Sequence, residues 1–265
     1  MNEFQIYNSQ SVGNWIYEDL VAIYQALEKP NWAPWLAAPV SSLEGRCKVF
    51  PEGQLLIKNA SGELCANLSM NRINWNGNIE ALPSWDDVAG DPTTYEKTYI
   101  PSGNTLTLMS MNVNPEYQGQ GYARSLIASA KQLGQKFGVE YIIGSFRPNE
   151  YGKHKLSHGK KAVTFRKYCE LNRPDGLPVD AWLRNLSRNG MKHLKVDKKA
   201  MIVSVSLEEF DQYKKSYNLE QWIEVDPNTW ECGEVGTWHV DVKNNTAVYI
   251  ESNMWGLLWK KNGSP

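Results

Sequence analysis

The sequence predicts an α+β fold: a mixed, mostly antiparallel twisted sheet flanked by helices, with an aromatic-rich C-terminal β extension. Three observations carry that expectation. Residues 105–137 read as a strand, a glycine-bearing turn and a helix in immediate succession. Short strand-like segments separated by tight-turn residues lie just before them, between 46 and 73. Near the C-terminus, 237–242 and 246–251 alternate on either side of Lys243-Asn244-Asn245, a hairpin signal.

From the N-terminus, 4–7 reads as a short strand. Apolar residues at 12, 15, 16, 20, 23, 24 and 27 give a helix over 12–27, with Pro30 beyond it. A second, shorter helix or turn begins near Pro34. Segments 46–50 and 54–58 are expected as strands, and Ala60-Ser61-Gly62-Glu63 turns the chain into a third strand over 64–73. Residues 74–104 form a long insertion rich in Gly, Pro, Asp and Asn. Its Trp75, Trp85, Tyr95 and Tyr99 argue against disorder, leaving a substrate-side flap or a packed surface loop.

The strand over 105–113 stops at Asn114-Pro115, because proline gives no ladder donor. A helix starts at Tyr122, with Leu126, Ala130, Leu133 and Phe137 at helical spacing and Gly138 as its stop. A strand over 140–146 follows. Residues 149–177 carry His154, His158, a basic run and a helix expected over 161–171. Another helix covers 179–189, strands cover 193–196 and 200–205, and Ser206 with Glu209 forms a capping box for a helix over 207–217. The tail over 218–265 holds Trp222, Trp230, Trp238, Trp255 and Trp259. Its hairpin needs a surface to pack on, either the core or a second copy in a homodimer.

The 265 residues suffice for a large core, and a net charge of −1 implies no general attraction to nucleic acid or an anionic membrane. No apolar run approaches the ~18 residues of a membrane span, and no secretory leader is apparent, so a cytoplasmic location is expected. Cys47, Cys65, Cys169 and Cys232 form no CxxC pair and read as free buried thiols. His154 and His158 have helical metal-ligand spacing, but no Glu stands between them in an HExxH pattern and no third ligand is apparent, so no metal is expected. The 11 Trp and 13 Tyr are read either as core or as the lining of a pocket for a long apolar ligand.

Glycines between a strand and a helix N-terminus make an anion site, since bare N–H groups and the helix dipole face the ligand. A Walker A loop fails here because no Lys-Ser or Lys-Thr follows Gly121. The GxGxxG fingerprint meets Arg124 at its third glycine. The pattern Gln/Arg-x-x-Gly-x-Gly/Ala is met by Gln118, Gly121 and Ala123. In that strand–turn–helix setting, the stretch resembles the acyl-CoA pyrophosphate loop of the GNAT superfamily (GCN5-related N-acetyltransferases). The resemblance covers about residues 1–208 and is closest to a branch with an FPEGQ turn, here Phe50 to Gln54. That branch also has a tryptophan loop, here 85–90, and a long segment, here 149–177.

The resemblance implies a GNAT acyltransferase domain over 1–208, with a helix and β-hairpin extension over 209–265. It implies acetyl-CoA or a longer acyl-CoA as co-substrate and an amine of a small molecule, peptide or protein side chain as acceptor, attacking directly in a ternary complex. The CoA would be held by Met111, Asn112, Val113, Gln118, Gly119, Gln120, Gly121, Tyr122, Ala123 and Arg124. Backbone groups of Met111, Asn112 and Val113 would pair with the pantetheine, and one of their N–H groups would polarise the thioester. Many GNAT enzymes protonate the thiolate from a Tyr four residues before the last helix's Gly. Here Leu186 stands there, so Tyr168, Ser187 or water takes that role, or the thiolate leaves unassisted. No carboxylate lies on the central strand. Glu96, His154, Glu231, Glu234 and His239 remain as bases, as does a base acting through water. A non-catalytic CoA-ester sensor is the alternative function.

Overall fold

The computed structural model describes residues 4–13, 15–90 and 95–261. Residues 91–94 of the long insertion, the extreme ends of the two expected domains and the Glu96 side chain lie outside them. The chain forms two compact units: one of 1–32, 36–144 and 257–265, the other of 33–35 and 145–256.

The first unit begins with β1 (Phe4–Asn8), α1 (Tyr17–Ile23), α2 (Val40–Val49), β2 (Gln54–Asn59) and β3 (Leu64–Ile73). After these come α3 (Trp85–Ala89), α4 (Tyr95–Thr98), β4 (Thr105–Val113), α5 (Tyr122–Lys136) and β5 (Tyr141–Phe146), whose last two residues belong to the second unit. The strands lie in the order β1-β2-β3-β4-β5. Every neighbouring pair is antiparallel except β4 and β5, which run parallel.

One expectation is corrected by α2. Residues 46–50 are not a strand: Arg46 to Val49 form the last turn of α2, whose buried Leu43 and Cys47 pack with Leu20, Ile23, Leu27 and Leu56. One-turn apolar spacing outweighs the alternation read from so short a segment. The insertion over 74–104, expected as an ordered loop, carries short helices. It folds α3, with Ser84 and Asp87 as a capping box, and α4.

The helix expected over 12–27 starts only at Tyr17, as α1, and then widens into a π-helical turn, Tyr24–Glu28, in which the Lys29 N–H reaches the Tyr24 carbonyl at 2.9 Å. Helix α5 buries Tyr122, Leu126, Ile127 and Ala130. It packs on the sheet face that carries Arg72, whose guanidinium lies 5.0 Å from the Phe137 ring. Truncating fully buried Leu126 to alanine would cost ~2–5 kcal/mol.

The second unit contains α6 (Tyr151–His158), α7 (Phe165–Cys169), α8 (Ala181–Arg188), β6 (Lys192–Ser206), α9 (Leu207–Ser216), β7 (Ile223–Asp226), β8 (Thr229–Glu231), β9 (Thr237–Asp241) and most of β10 (Thr246–Lys260), whose last four residues belong to the first unit. β10, β9, β8 and β7 lie side by side, and β6 also pairs with β10. The hairpin of β9 and β10 forms as expected, pairing Thr246 with Asp241. The two strands expected over 193–205 are one, because the chain stays extended through Asp197 and Lys199. The helix expected over 161–171 shortens to α7, while His154 and His158 fall on α6.

Of the tail tryptophans, Trp238 and Trp255 are core, and Trp222, Trp230 and Trp259 are part-buried. Trp238 is fully buried, with ring centroids 5.3 Å from Trp35, 5.2 Å from Phe210 and 5.4 Å from Tyr249. Beside them Arg147 is clamped by Glu234 at 2.6 Å and Glu251 at 3.0 Å. Tyr217 and Tyr249 donate their hydroxyls to those same carboxylates at 2.6 Å each. All four cysteines are buried free thiols. Among the described residues no helix is long and apolar enough to cross a membrane.

Candidate active site

The site is built on the first unit's central strand. β3 pairs with β4 from Ile73 opposite Thr105 to Ala66 opposite Val113. On its other side β5 pairs only with Thr105, Leu106, Thr107 and Leu108. From Met109 onward that edge of β4 has no paired strand among the described residues, so its peptide groups are open to an extended ligand. The parting coincides with a bulge. Ser69 faces Ser110 and Met70 faces Leu108, leaving Met109 as the extra residue. Trp85, the first residue of α3, donates its indole N–H to the Met109 carbonyl at 2.9 Å. The insertion therefore reaches the central strand where the sheet splits.

Five residues beyond β4 comes the glycine turn. Asn114 ties it down: its backbone N–H donates to Cys65 O at 2.9 Å, and its side chain accepts from Glu116 N at 3.1 Å. Gly119 and Gly121 have φ of 79° and 88°, the left-handed region where side chains are strained. A Cβ on either would meet nothing within 4 Å, so both glycines face open space. Gly121 caps α5 with no side-chain bond, and no acidic residue lies in the helix's first turn. The first N–H groups of α5 and about half a positive charge are left for an anion. Arg124 is exposed on that first turn. A hydrogen bond to Glu63 pushes the nearby Tyr117 phenol up to about 12.

An open depression of about 410 Å³, lined by Asn74, Trp75, Asn76, Ala81 and Asn104, adjoins the other end of β4. Its Asn104 side chain is engaged by both backbone groups of Trp75, at 2.9 Å each. It lies a full strand away from the glycine turn and is not part of the site.

A parted central strand that runs into a glycine turn at an uncapped helix is the arrangement expected of an acyl-CoA site. The family model of the acetyltransferase (GNAT) family matches residues 16–154. The chain belongs to that family. This GNAT protein is similar to the loading GNATL domain of CurA from Lyngbya majuscula, with a TM-score of 0.58 and 20% identity, covering 74% of this chain and 87% of that one. It is also similar to the GphF GNAT-like decarboxylase in complex with isobutyryl-CoA, with a TM-score of 0.58 and 17% identity, covering 96% of this chain and 100% of that one. At these identities the likeness shows the shared GNAT fold. No curated protein matches the chain.

The expected CoA-binding residues of this GNAT protein fall together in the first unit: Met111, Asn112 and Val113 on the parted strand, Gln118 to Gly121 in the turn, and Tyr122, Ala123 and Arg124 opening α5. Only the backbone of Asn112 faces the role expected of it. Its side chain is buried, accepting from Trp32 Nε1 at 2.6 Å and donating to Glu28 Oε1 at 2.8 Å and Asn67 Oδ1 at 3.0 Å.

The acid and base candidates are placed otherwise. Tyr168 and Ser187 belong to the second unit, on α7 and α8. Tyr168 is buried, its hydroxyl 3.5 Å from Asp180 Oδ2, and burial together with that carboxylate pushes its phenol well above the ordinary range. Ser187 is half-buried, and Leu186 beside it is buried. Glu231 is paired with Lys155 at 3.2 Å and Glu234 with Arg147 at 2.6 Å. His154 stacks on His158 with centroids 4.1 Å apart, and burial lowers its pKa. His239 is exposed on β9.

Sequence reasoning missed a polar face over the sheet. Asn67, Ser69 and Asn71 of β3 stand opposite Asn112, Ser110 and Thr107 of β4, and all six are buried. Paired residues point to the same side, so the six share one face. Glu28 lies against it, 1% exposed. The only sequence signal was the density of Asn, Ser and Thr in two strands.

Proposed function

We propose that this GNAT protein is an acyl-CoA-dependent N-acyltransferase that moves an acetyl or longer acyl group from CoA to an amine of a small molecule, peptide or protein side chain. The observation that carries the reading is the parting of β4 from β5 after Leu108, followed by the open, uncapped glycine turn at Gly119 and Gly121. Pantetheine runs along Met111, Asn112 and Val113 as an added strand. The pyrophosphate takes the N–H groups from Gly119 to Ala123, with Arg124 beside it, and the thioester lies toward Met109.

There an N–H of the free strand edge polarises the carbonyl, and the amine attacks in a ternary complex. The thiolate leaves with a pKa near ~8.5. The engagement of the Tyr168 phenol with Asp180 favours Ser187, water or unassisted departure over protonation by Tyr168. In this reading residues 1–208 are the transferase domain and 209–265 an extension on it, working in the cytoplasm.

A thermal-shift panel with acetyl-CoA, octanoyl-CoA, palmitoyl-CoA, NAD and ATP tests the site. A ligand at a hundred times its Kd stabilises by ~2.7 kcal/mol, or roughly 5–11 °C at ~2–4 °C per kcal/mol. A response to NAD or ATP with none to any CoA ester overturns the reading. Release of free CoA thiol in the presence of amines separates a transferase from a protein that only senses CoA esters.

A further inference from the structure

The buried polar face is under-satisfied. Glu28 Oε2, Ser110 Oγ and Thr107 Oγ1 are buried and have no hydrogen-bond partner among the described residues. Buried polar atoms are almost always paired with protein or water, because stranding one forfeits its hydration with nothing in return. Three on one face call for a partner from outside the chain. Ser110 and Thr107 flank the bulge at Met109, where β4 leaves β5.

Glu28 is held with care. Its Oε1 accepts from Asn112 Nδ2 at 2.8 Å and Asn67 Nδ2 at 3.3 Å, which leaves Oε2 available. It closes the π-helical turn over Tyr24–Glu28, a departure from α geometry that recurs at functional sites. That turn places the carboxylate against the strand expected to carry the thioester, although β4 has no carboxylate of its own.

We infer that Glu28 is the proton acceptor for the attacking amine, reached from the thioester by water hydrogen-bonded to Ser110. The inference rests on the acyl-transfer reading above. The amine nitrogen bonds to the thioester carbon and the C–S bond breaks. The proton lost by nitrogen passes through that water to Glu28 Oε2, and the departing thiolate is protonated from solvent. Glu28 then returns its proton to solvent. Burial raises the Glu28 pKa, while Arg46, Asn67 and Asn112 oppose the rise, so the carboxyl is a better base than an exposed glutamate.

The test is Glu28→Gln, which keeps the size and an acceptor oxygen, with Ser110→Ala as a second variant that removes only the hydroxyl. Acetyl-CoA affinity is measured by calorimetry. CoA thiol release is followed from pH 5 to 9 with a panel of amines: lysine, arginine, spermidine, an aminoglycoside and peptide N-termini. Expected for Glu28→Gln is acetyl-CoA affinity within about twofold of wild type, a kcat lower by ~10²–10⁴-fold and loss of the acidic limb of the wild-type rate profile. Ser110→Ala lowers kcat at least tenfold on order of magnitude with the limb retained.

A Glu28→Gln enzyme with near wild-type kcat and an unchanged limb overturns the role. Should Glu28→Gln fail to fold, an unchanged kcat in Ser110→Ala overturns it. Wild type that binds acetyl-CoA yet releases no thiol with any amine removes the acyl-transfer reading itself, and the role of Glu28 with it.

Discussion

The indole N–H of Trp85 donates to the carbonyl of Met109 at 2.9 Å, joining the long insertion to the bulged residue of the central strand. An antiparallel partner cannot satisfy a bulge carbonyl in the regular way, so the insertion supplies the donor. Trp85→Phe keeps a ring and removes only that donor. Its cost is expected at ~1 kcal/mol, a fall in Tm of roughly 2–4 °C, with weaker acetyl-CoA binding as the strand edge loosens. Calorimetric melting with and without acetyl-CoA checks both, and an unchanged Tm would detach the insertion from the site.

Gly121→Asp places a carboxylate over the N–H groups at the start of α5. The site is open, so the fold survives with the strain of a left-handed residue, ~1–2 kcal/mol. Acetyl-CoA affinity should fall by at least tenfold, about 1.4 kcal/mol. A folded Gly121→Asp protein that binds acetyl-CoA like wild type would place the pyrophosphate elsewhere.

Glu28 leaves a signature in stability against pH. Its folded pKa is raised by burial, with Arg46 from α2, Asn67 from β3 and Asn112 from β4 facing it. The folded chain therefore holds the Glu28 proton more tightly than the unfolded chain. The stabilising contribution is full below the unfolded value, about 4.5, and is lost as pH rises through the raised folded value. Relative to wild type, Glu28→Gln should gain in Tm between acid and neutral pH. A wild-type-minus-variant difference that stays flat from pH 4 to 8 contradicts the raised value.

Arg147 is the cation between Glu234 and Glu251 in the second unit, and Glu251 is fully buried. Removing one partner of a buried pair leaves charge uncompensated, so Arg147→Ala should cost ~3–5 kcal/mol. Urea unfolding measures this. A loss under ~1 kcal/mol, the range of exposed pairs, would mean that the cluster relaxes by taking up protons.

Tyr168→Phe discriminates the leaving-group candidates. With its hydroxyl beside Asp180 and its pKa raised, Tyr168 is a poor proton donor. Thiol release by Tyr168→Phe should stay within about threefold of wild type, against the ~10²-fold loss expected on removing a general acid.

Much of this was legible in the chain. Gln118, Gly121 and Ala123 after a strand, with apolar residues every three or four positions beyond, specify the turn and α5 through local backbone preference alone. The capping box at Ser206 and the hairpin around Asn244 are equally local, and all of them formed. Segment 46–50 shows the limit, since one turn of helix and a short strand share the same apolar residues until packing on Leu20 and Ile23 decides between them.

The buried polar face was beyond that limit. Strict alternation along β4 puts Thr105 and Thr107 on one side and Ser110 and Asn112 on the other. The bulge at Met109 inserts one residue, and the register with β3 brings all four to the same side as Asn67, Ser69 and Asn71. Nothing local in TLTLMSMNV marks the extra residue. It arises from hydrogen-bond pairing with a strand some forty residues earlier, and from an indole that the insertion delivers. Sequence by itself determined the glycine turn and the uncapped start of α5, because a turn's dihedrals are a local property. Tertiary structure decided which side chains share a buried face with Glu28, because strand register is a property of two distant segments together.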